Sequence, residues 1–335
     1  MPRRPAGRPS LATVAERLGV STATVSNAFN RPGMVSATLR DRVLAEAARQ
    51  GYTGPDPAAR QLSRGRTDTL GLLFTGELSF AFGDPAAVGF VEGLAQSCQT
   101  AELNLLLIAA DAAHHRPAAV GNAVVDGFVV YSVSPTDPHL RQILDRRLPT
   151  VVVDSPRDAT GVDWVGSDDR AGGRSIGEYL TGLGHRRIGA IGAGPPESPI
   201  AGTADDTWAA GPDGVHRERL LGLQDAVRAV GIDDLPVELR PTNTMAAGRQ
   251  AAATLLDRRP DLTAVVALTD LTALGALDLA RDRDVPVPGR LSVTGYDDIP
   301  RAAAAGLTTV SQPLVDKGRI AGELYLSHRA GRPDR

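Results

Sequence analysis

Two kinds of apolar spacing divide the chain. Up to about residue 66 apolar positions recur at the helical period, and beyond it short unbroken apolar runs alternate with amphipathic stretches. Leu11, Val14, Ala15 and Leu18 fall at i, i+3, i+4 and i+7, one face of a helix that Ser10 can cap and Gly19 can end. After a tight glycine turn, Ser21 can cap a second helix whose Val25, Ala28 and Phe29 face inward. A third segment runs from Ser36 through Leu39, Val43, Leu44 and Ala47 to Gly51 and closes a small three-helix core. Two short helices joined in this way predict a helix-turn-helix. Further on, the runs at residues 69–74, 103–108, 127–131 and 150–154 read as buried strands, and a second series follows at 187–191, 237–239, 264–268 and 291–296. Strands of this kind separated by helices predict parallel sheets, here in two similar lobes. The expected fold is thus an N-terminal all-α helix-turn-helix headpiece followed by an α/β core of two parallel-sheet subdomains. Ligands of open sheets bind beyond the carboxyl ends of the strands, so the cleft between the lobes is the expected site.

Between these regions, Asp56 stands at an N-cap position, Pro57 at the first helical position and Gly65 just past the end. Helices below about 12 residues are marginal alone in water, so this hinge helix should fold when DNA and a dimer partner hold it. Leu62 has no evident core to join, and beside Arg60 and Arg64 it reads as an apolar wedge for a minor-groove step.

Charge sharpens the division. The 335 residues have a net charge of −3, but residues 1–66 carry +7 and the remainder −10. A basic head on an acidic body implies that the head meets a polyanion. In helix-turn-helix geometry the second helix enters the major groove. Thr22, Ala23 and Asn27 are the expected base readers: Asn27 can pair bidentately with adenine, and Ala23 suits a thymine methyl. Ser21, Thr24, Ser26, Asn30 and Ser36 are expected to hold phosphates. No apolar run approaches the roughly 18 residues of a membrane span. The basic N-terminus leads into no apolar signal region, and Cys98 is the single cysteine, so a cytoplasmic protein without disulfides is expected. Nucleophile-elbow, His-Glu-x-x-His and Walker patterns do not occur, and Gly189, Gly192 and Gly194 do not fit the dinucleotide spacing. His114 and His115 are adjacent residues that point apart. No catalysis, cofactor, metal or membrane partner is expected.

The ordered set Val14-Ala15, residues 19–26, Asn30, Val35-Ser36, Gly51-Tyr52 and residues 59–62 resembles the LacI/GalR family of bacterial transcriptional repressors. The likeness continues in residues 168–173, 183–188, 219–223, 269–275, 293–298 and 307–313, nearly to the end of the chain. It implies a homodimer on a pseudo-palindromic double-stranded operator, with Leu62 intercalated at its centre. It implies also an effector core similar to periplasmic sugar-binding proteins, binding a small polar ligand such as a carbohydrate. On this likeness the headpiece spans 1–56, the hinge helix 57–66, the first subdomain 67–167 and 307–335, and the second 168–306. Arg219 and Asp270 are the foremost ligand residues, a fork of donors and a carboxylate acceptor. Phe80 and Phe82 match a loop that stacks an aromatic on the ligand, and Asp154 and Asp298 are further cleft candidates. Two segments depart from the pattern: 53–57 is one residue longer than usual, and 194–216 is longer and more polar. The competing readings are a solute-binding module without a DNA role and a regulator that no longer responds to ligand.

Overall fold

Each of the three α-helices described in the N-terminal unit begins on a serine. In the computed structural model, which describes residues 9–54, 65–75, 79–110, 118–194, 200–203 and 214–330, the chain divides between Thr67 and Asp68 into two compact units. In the first, Ser10, Ser21 and Ser36 cap α1 (Leu11–Leu18), α2 (Thr22–Asn30) and α3 (Ala37–Gln50), each hydroxyl accepting from the backbone N–H three residues on. Such caps contribute about 1 kcal/mol each. Gly19 and Gly51 end α1 and α3 in the left-handed region, at φ 65° and 70°, where a side chain would be strained. Val14, Ala15, Val25, Ala28, Val43 and Ala47 form the core. Phe29 meets Tyr52 edge to face at 5.8 Å between ring centroids and closes it. The expected hinge residues Arg60 and Leu62 lie outside the described residues, as do His114, His115 and most of the unusual 194–216 segment.

The second unit contains two five-stranded sheets. The first lobe places β1 (Thr69–Thr75), β2 (Asn104–Ala110), β3 (Gly127–Tyr131), β4 (Thr150–Val153) and β5 (Asp163–Val165) in the order β2-β1-β3-β4-β5, all parallel. It also holds α4 (Phe80–Gly83), α5 (Pro85–Thr100), α6 (Ala118–Asn122) and α7 (Pro138–Asp145). The second lobe contains α8 (Asp169–Gly182), β6 (Ile188–Ala193), β7 (Ile200–Thr203), α9 (Gly214–Arg228) and β8 (Pro236–Arg240). It continues with α10 (Met245–Arg258), β9 (Ala264–Ala267), α11 (Asp270–Asp282), β10 (Ser292–Thr294) and α12 (Pro300–Ala304). Its sheet order is β10-β9-β6-β8-β7. The chain then returns to the first lobe, where Ala321 and Tyr325 of α13 (Leu314–Ala330) join the core of β1, β3 and β4. Two strands escaped the sequence pattern. β5 has three residues, and β7 pairs antiparallel to β8 within a segment read as a polar connection.

Glycines set how closely the helices cross. A Cβ on Gly173 of α8 would lie 2.0 Å from the Arg219 carbonyl oxygen, and one on Gly222 of α9 would lie 1.9 Å from that of Arg170. The same reciprocal contact joins α5 to α13, through Gly93 against Val315 and Gly318 against Phe90. These two crossings fix the backbone beneath Arg219 and Lys317. Replacing Gly173 or Gly222 by Ala should destabilise the core by about 1–3 kcal/mol through forced separation of α8 and α9. A urea unfolding curve that superimposes on wild type would contradict that packing.

Candidate functional site

On α2, Thr22, Ala23, Ser26, Asn27 and Asn30 share the face opposite buried Val25 and Ala28. Ser21, Thr22 and Ala23 are exposed, and Thr24, Ser26, Asn27 and Asn30 are half-buried. The Ser21 and Thr24 hydroxyls bond to each other at 2.8 Å, and Asn30 Nδ2 donates to Ser26 Oγ at 3.2 Å. Among the described residues no hydrogen bond engages the Asn27 amide, which leaves both its donor and its acceptor available to a base edge. Ser36 is exposed, its oxygen accepting from Leu39 and its hydrogen available to a phosphate. Exposed Arg17, Arg31, Arg40 and Arg42 supply positive charge to the same unit.

The second constellation lies where the strand ends of the two lobes face each other. Asp154 follows β4 at φ 64°, and Asp297 follows β10 at φ 119°. Non-glycine residues in such conformations store on the order of 1–3 kcal/mol each, and they persist where their surroundings over-determine them. The surroundings here are a bonded chain. Lys317 Nζ donates to Asp154 Oδ1 and to Gln312 Oε1, both at 2.8 Å. Gln312 Nε2 donates to Asp297 Oδ1 at 2.7 Å. Asp297 lies 3.3 Å from Arg219, whose Nε donates to Asp169 Oδ1 at 2.9 Å. Arg219 also donates to the Leu268 carbonyl at 2.6 Å and stacks 3.8 Å above the Tyr296 ring. Ser167, in the outgoing crossover between lobes, donates to Gln312 in the returning one at 3.3 Å. A second bridge joins the lobes where Asn243 Nδ2 donates to Asp84 Oδ2 at 2.9 Å, while Asn243 Oδ1 accepts from Thr269.

Burial governs the ionisation of these groups. It pushes Asp154 up against the opposing pull of Lys317, and Asp84 up against the N–H groups of Ala86 and Asn243. It pushes Asp297 up to about 7, although Arg219 opposes the shift. For Arg219 burial acts downward, but Asp297 and Asp169 outweigh it and hold the guanidinium charged, above its ordinary value.

The expected ligand residues therefore separate. Arg219 and Asp154 are drawn into one constellation. Asp270 is fully buried, with Oδ1 accepting from Thr309 and Oδ2 from the Ile299 N–H, so it frames the turn after β10. Asp298 is exposed, and its neighbour Asp297 occupies the cleft instead. Phe82 is 66% exposed, and Phe80 begins α4. Sequence reasoning missed Asp84, Asp169, Asn243, Asp297, Gln312 and Lys317. One signal was present: Lys317 is the single lysine among 36 basic residues, and here it is 3% exposed.

Comparison with known proteins gives two family matches. Residues 10–54 match the bacterial regulatory proteins of the lacI family, and residues 178–335 match the periplasmic binding protein-like domain. The HTH-type transcriptional regulator Rv3575c of Mycobacterium tuberculosis is 44% identical over 339 residues, covering 99% of this chain and 94% of that protein. A crystal structure of a LacI-family transcriptional regulator from Corynebacterium glutamicum superimposes with a TM-score of 0.73 at 32% identity, covering 99% of this chain and 95% of that one. The complex of the transcriptional regulator CelR with cellobiose gives 0.68 at 30% identity, covering 97% and 94%.

Arg219→Ala leaves Asp169 and Asp297 buried without their cation and should cost about 3–5 kcal/mol in a denaturant titration; a loss within error of zero would contradict the pairing. Asp297 binds its proton more tightly folded than unfolded, so its contribution is complete below about pH 4 and is lost as pH rises through about 7. The thermal midpoint of wild type should fall relative to that of Asp297→Asn across this window. Parallel profiles would reject the assignment.

Proposed function

The chain belongs to the LacI family of bacterial regulatory proteins, and from that premise we propose that it is a cytoplasmic, homodimeric repressor of transcription, controlled by a small polar effector bound between the lobes. The carrying observation is the union, in one chain, of a +7 helix-turn-helix segment with a two-lobed core whose cleft buries charge. Each headpiece reads half of a pseudo-palindromic operator, with Thr22, Ala23 and Asn27 at base edges and Ser21, Thr24, Ser26, Asn30 and Ser36 on phosphates. Paired hinge segments place Leu62 in the central minor groove, with Arg60 beside it. The effector, in the simplest case a carbohydrate like the cellobiose bound by CelR, meets Arg219, Asp154 and the groups bonded to them, with Phe80 and Phe82 as further candidates to stack on it. Asp270 and Asp298 hold the turn that presents Asp297. The protein acts by binding and carries out no reaction. Among the described residues no helix is long and apolar enough to cross a membrane.

Selection of bound DNA from a random pool should enrich a palindrome with a flexible pyrimidine–purine step at its centre; no enrichment by folded protein would reject the DNA role. On the selected site Asn27→Ala should lose about 1–3 kcal/mol, roughly 5- to 150-fold in Kd, while binding to unrelated DNA at the same salt changes little. Leu62→Ala should likewise weaken the specific complex alone. Equal losses on both DNAs would remove these residues from specific recognition.

A further inference from the structure

The outer edge of the second sheet is incompletely covered. β10 is its edge strand and has three residues. The returning chain joins it by isolated bridges, Thr294 to Thr308 and Asp297 to Ser311, so among the described residues the edge before Thr294 has no neighbouring strand. Val293 packs into the core with residues of α11, and strand alternation therefore turns Ser292 and Thr294 to the other face, toward α8. The C-terminal turns of α8 and α11 pass on either side of this edge and leave a cavity of about 540 Å³. Leu180 and Leu183 beside α8, Leu277 and Ala280 of α11, Val287 and Leu307 give it aliphatic walls, and Ser292, Thr294 and Thr308 supply hydroxyls. It lies along β10 itself, whereas the cleft lies past the carboxyl end of that strand, at Tyr296 and Asp297.

A separate observation marks the cavity as a ligand site. Thr294 is 2% exposed, and its hydroxyl is buried without a hydrogen-bond partner among the described residues. A buried hydroxyl left unbonded keeps the full cost of its desolvation, which an oxygen brought by a ligand removes. At the mouth Tyr179, Leu183 and Val287 expose large apolar side chains side by side, a mark of a binding surface. We propose that this cavity behind β10 is a second small-molecule site, separate from the cleft, for a compact aliphatic or single-ring molecule whose one neutral oxygen head bonds to Thr294. Its volume falls within the roughly 300 to 1,000 Å³ of ligand pockets, whose walls are mostly apolar with a few placed polar groups. Charge does not recommend an ionic head, because Arg281, the charged side chain of the lining, is paired with Asp278 at 2.7 Å. Thr294 and Asp297 stand on one continuous stretch of chain, so the same segment borders both sites. The proposal goes beyond the effector reading and stands without it.

The test is calorimetric titration of the full-length protein with benzyl alcohol and with toluene, which share a ring and differ in the oxygen head. Both should bind wild type, benzyl alcohol roughly 2- to 10-fold more tightly through the added hydrogen bond. In Thr294→Val the two should bind alike, while the unliganded thermal midpoint stays level or rises, because the hydroxyl removed has no bond to lose. Leu183→Asp, on the exposed mouth, should weaken both probes by roughly 10-fold or more and leave the unliganded midpoint and the sedimentation coefficient unchanged. Absence of binding to wild type would overturn the proposal, as would a preference for benzyl alcohol that survives in Thr294→Val. A lower midpoint in Thr294→Val would show the hydroxyl to be engaged already, and altered assembly of Leu183→Asp would assign this face to subunit contact; either overturns the site. The cleft and its effector are untouched by all of these outcomes.

Discussion

The chain of buried charge that crosses from one lobe to the other is the constraint on which the core depends. Asp154 and Lys317 belong to the first lobe, Asp297, Arg219 and Asp169 to the second, and Gln312 connects the two sets from within the returning crossover segment. A charge removed from water must be paired or neutralised. The strand ends, the returning helix α13 and the α8–α9 crossing are therefore compatible with one another only in arrangements that keep the chain bonded. The glycines against Arg219 and beside Lys317 serve the same end, because bulkier residues would move both cations away from their acids.

This arrangement gives an effector a physical means of action. A ligand that donates to Asp154 or Asp297 competes with the lysine and amide now bonded there, and so acts on the connection between lobes as well as on a surface. The Asp84–Asn243 bridge is a second point at which a ligand between the lobes would replace or reinforce a contact. In the proposed function such a change alters operator affinity, and linkage then requires operator to alter ligand affinity by the same factor.

Much of the architecture was legible because it rests on local rules. Serines before apolar-periodic runs became caps, Gly19 and Gly51 became left-handed ends, and the valine-rich runs became central parallel strands. β7 was hidden because an edge strand in a polar segment has little apolar content to betray it, and β5 because three residues show no period. The site was less legible. Asp297 and Asp298 are indistinguishable as an Asp-Asp pair, and only the backbone turn at φ 119° and 59° decides which is buried. Asp270 sits on a promising motif, yet donors from residues far along the chain, Ile299 and Thr309, occupy both its oxygens. Lys317 was conspicuous as the one lysine of an arginine-rich chain, but its partner Asp154 is 163 residues away in sequence.

The claim that the interlobe chain transmits ligand binding to DNA is tested most directly by measuring operator Kd at fixed salt, with and without saturating effector, for wild type and Gln312→Leu. The account predicts an effector-induced change of roughly 5- to 150-fold in wild type and a ratio close to one in the variant, whose lobes have lost the amide that joins Lys317 to Asp297. An undiminished ratio in Gln312→Leu would show that the effector acts by another route.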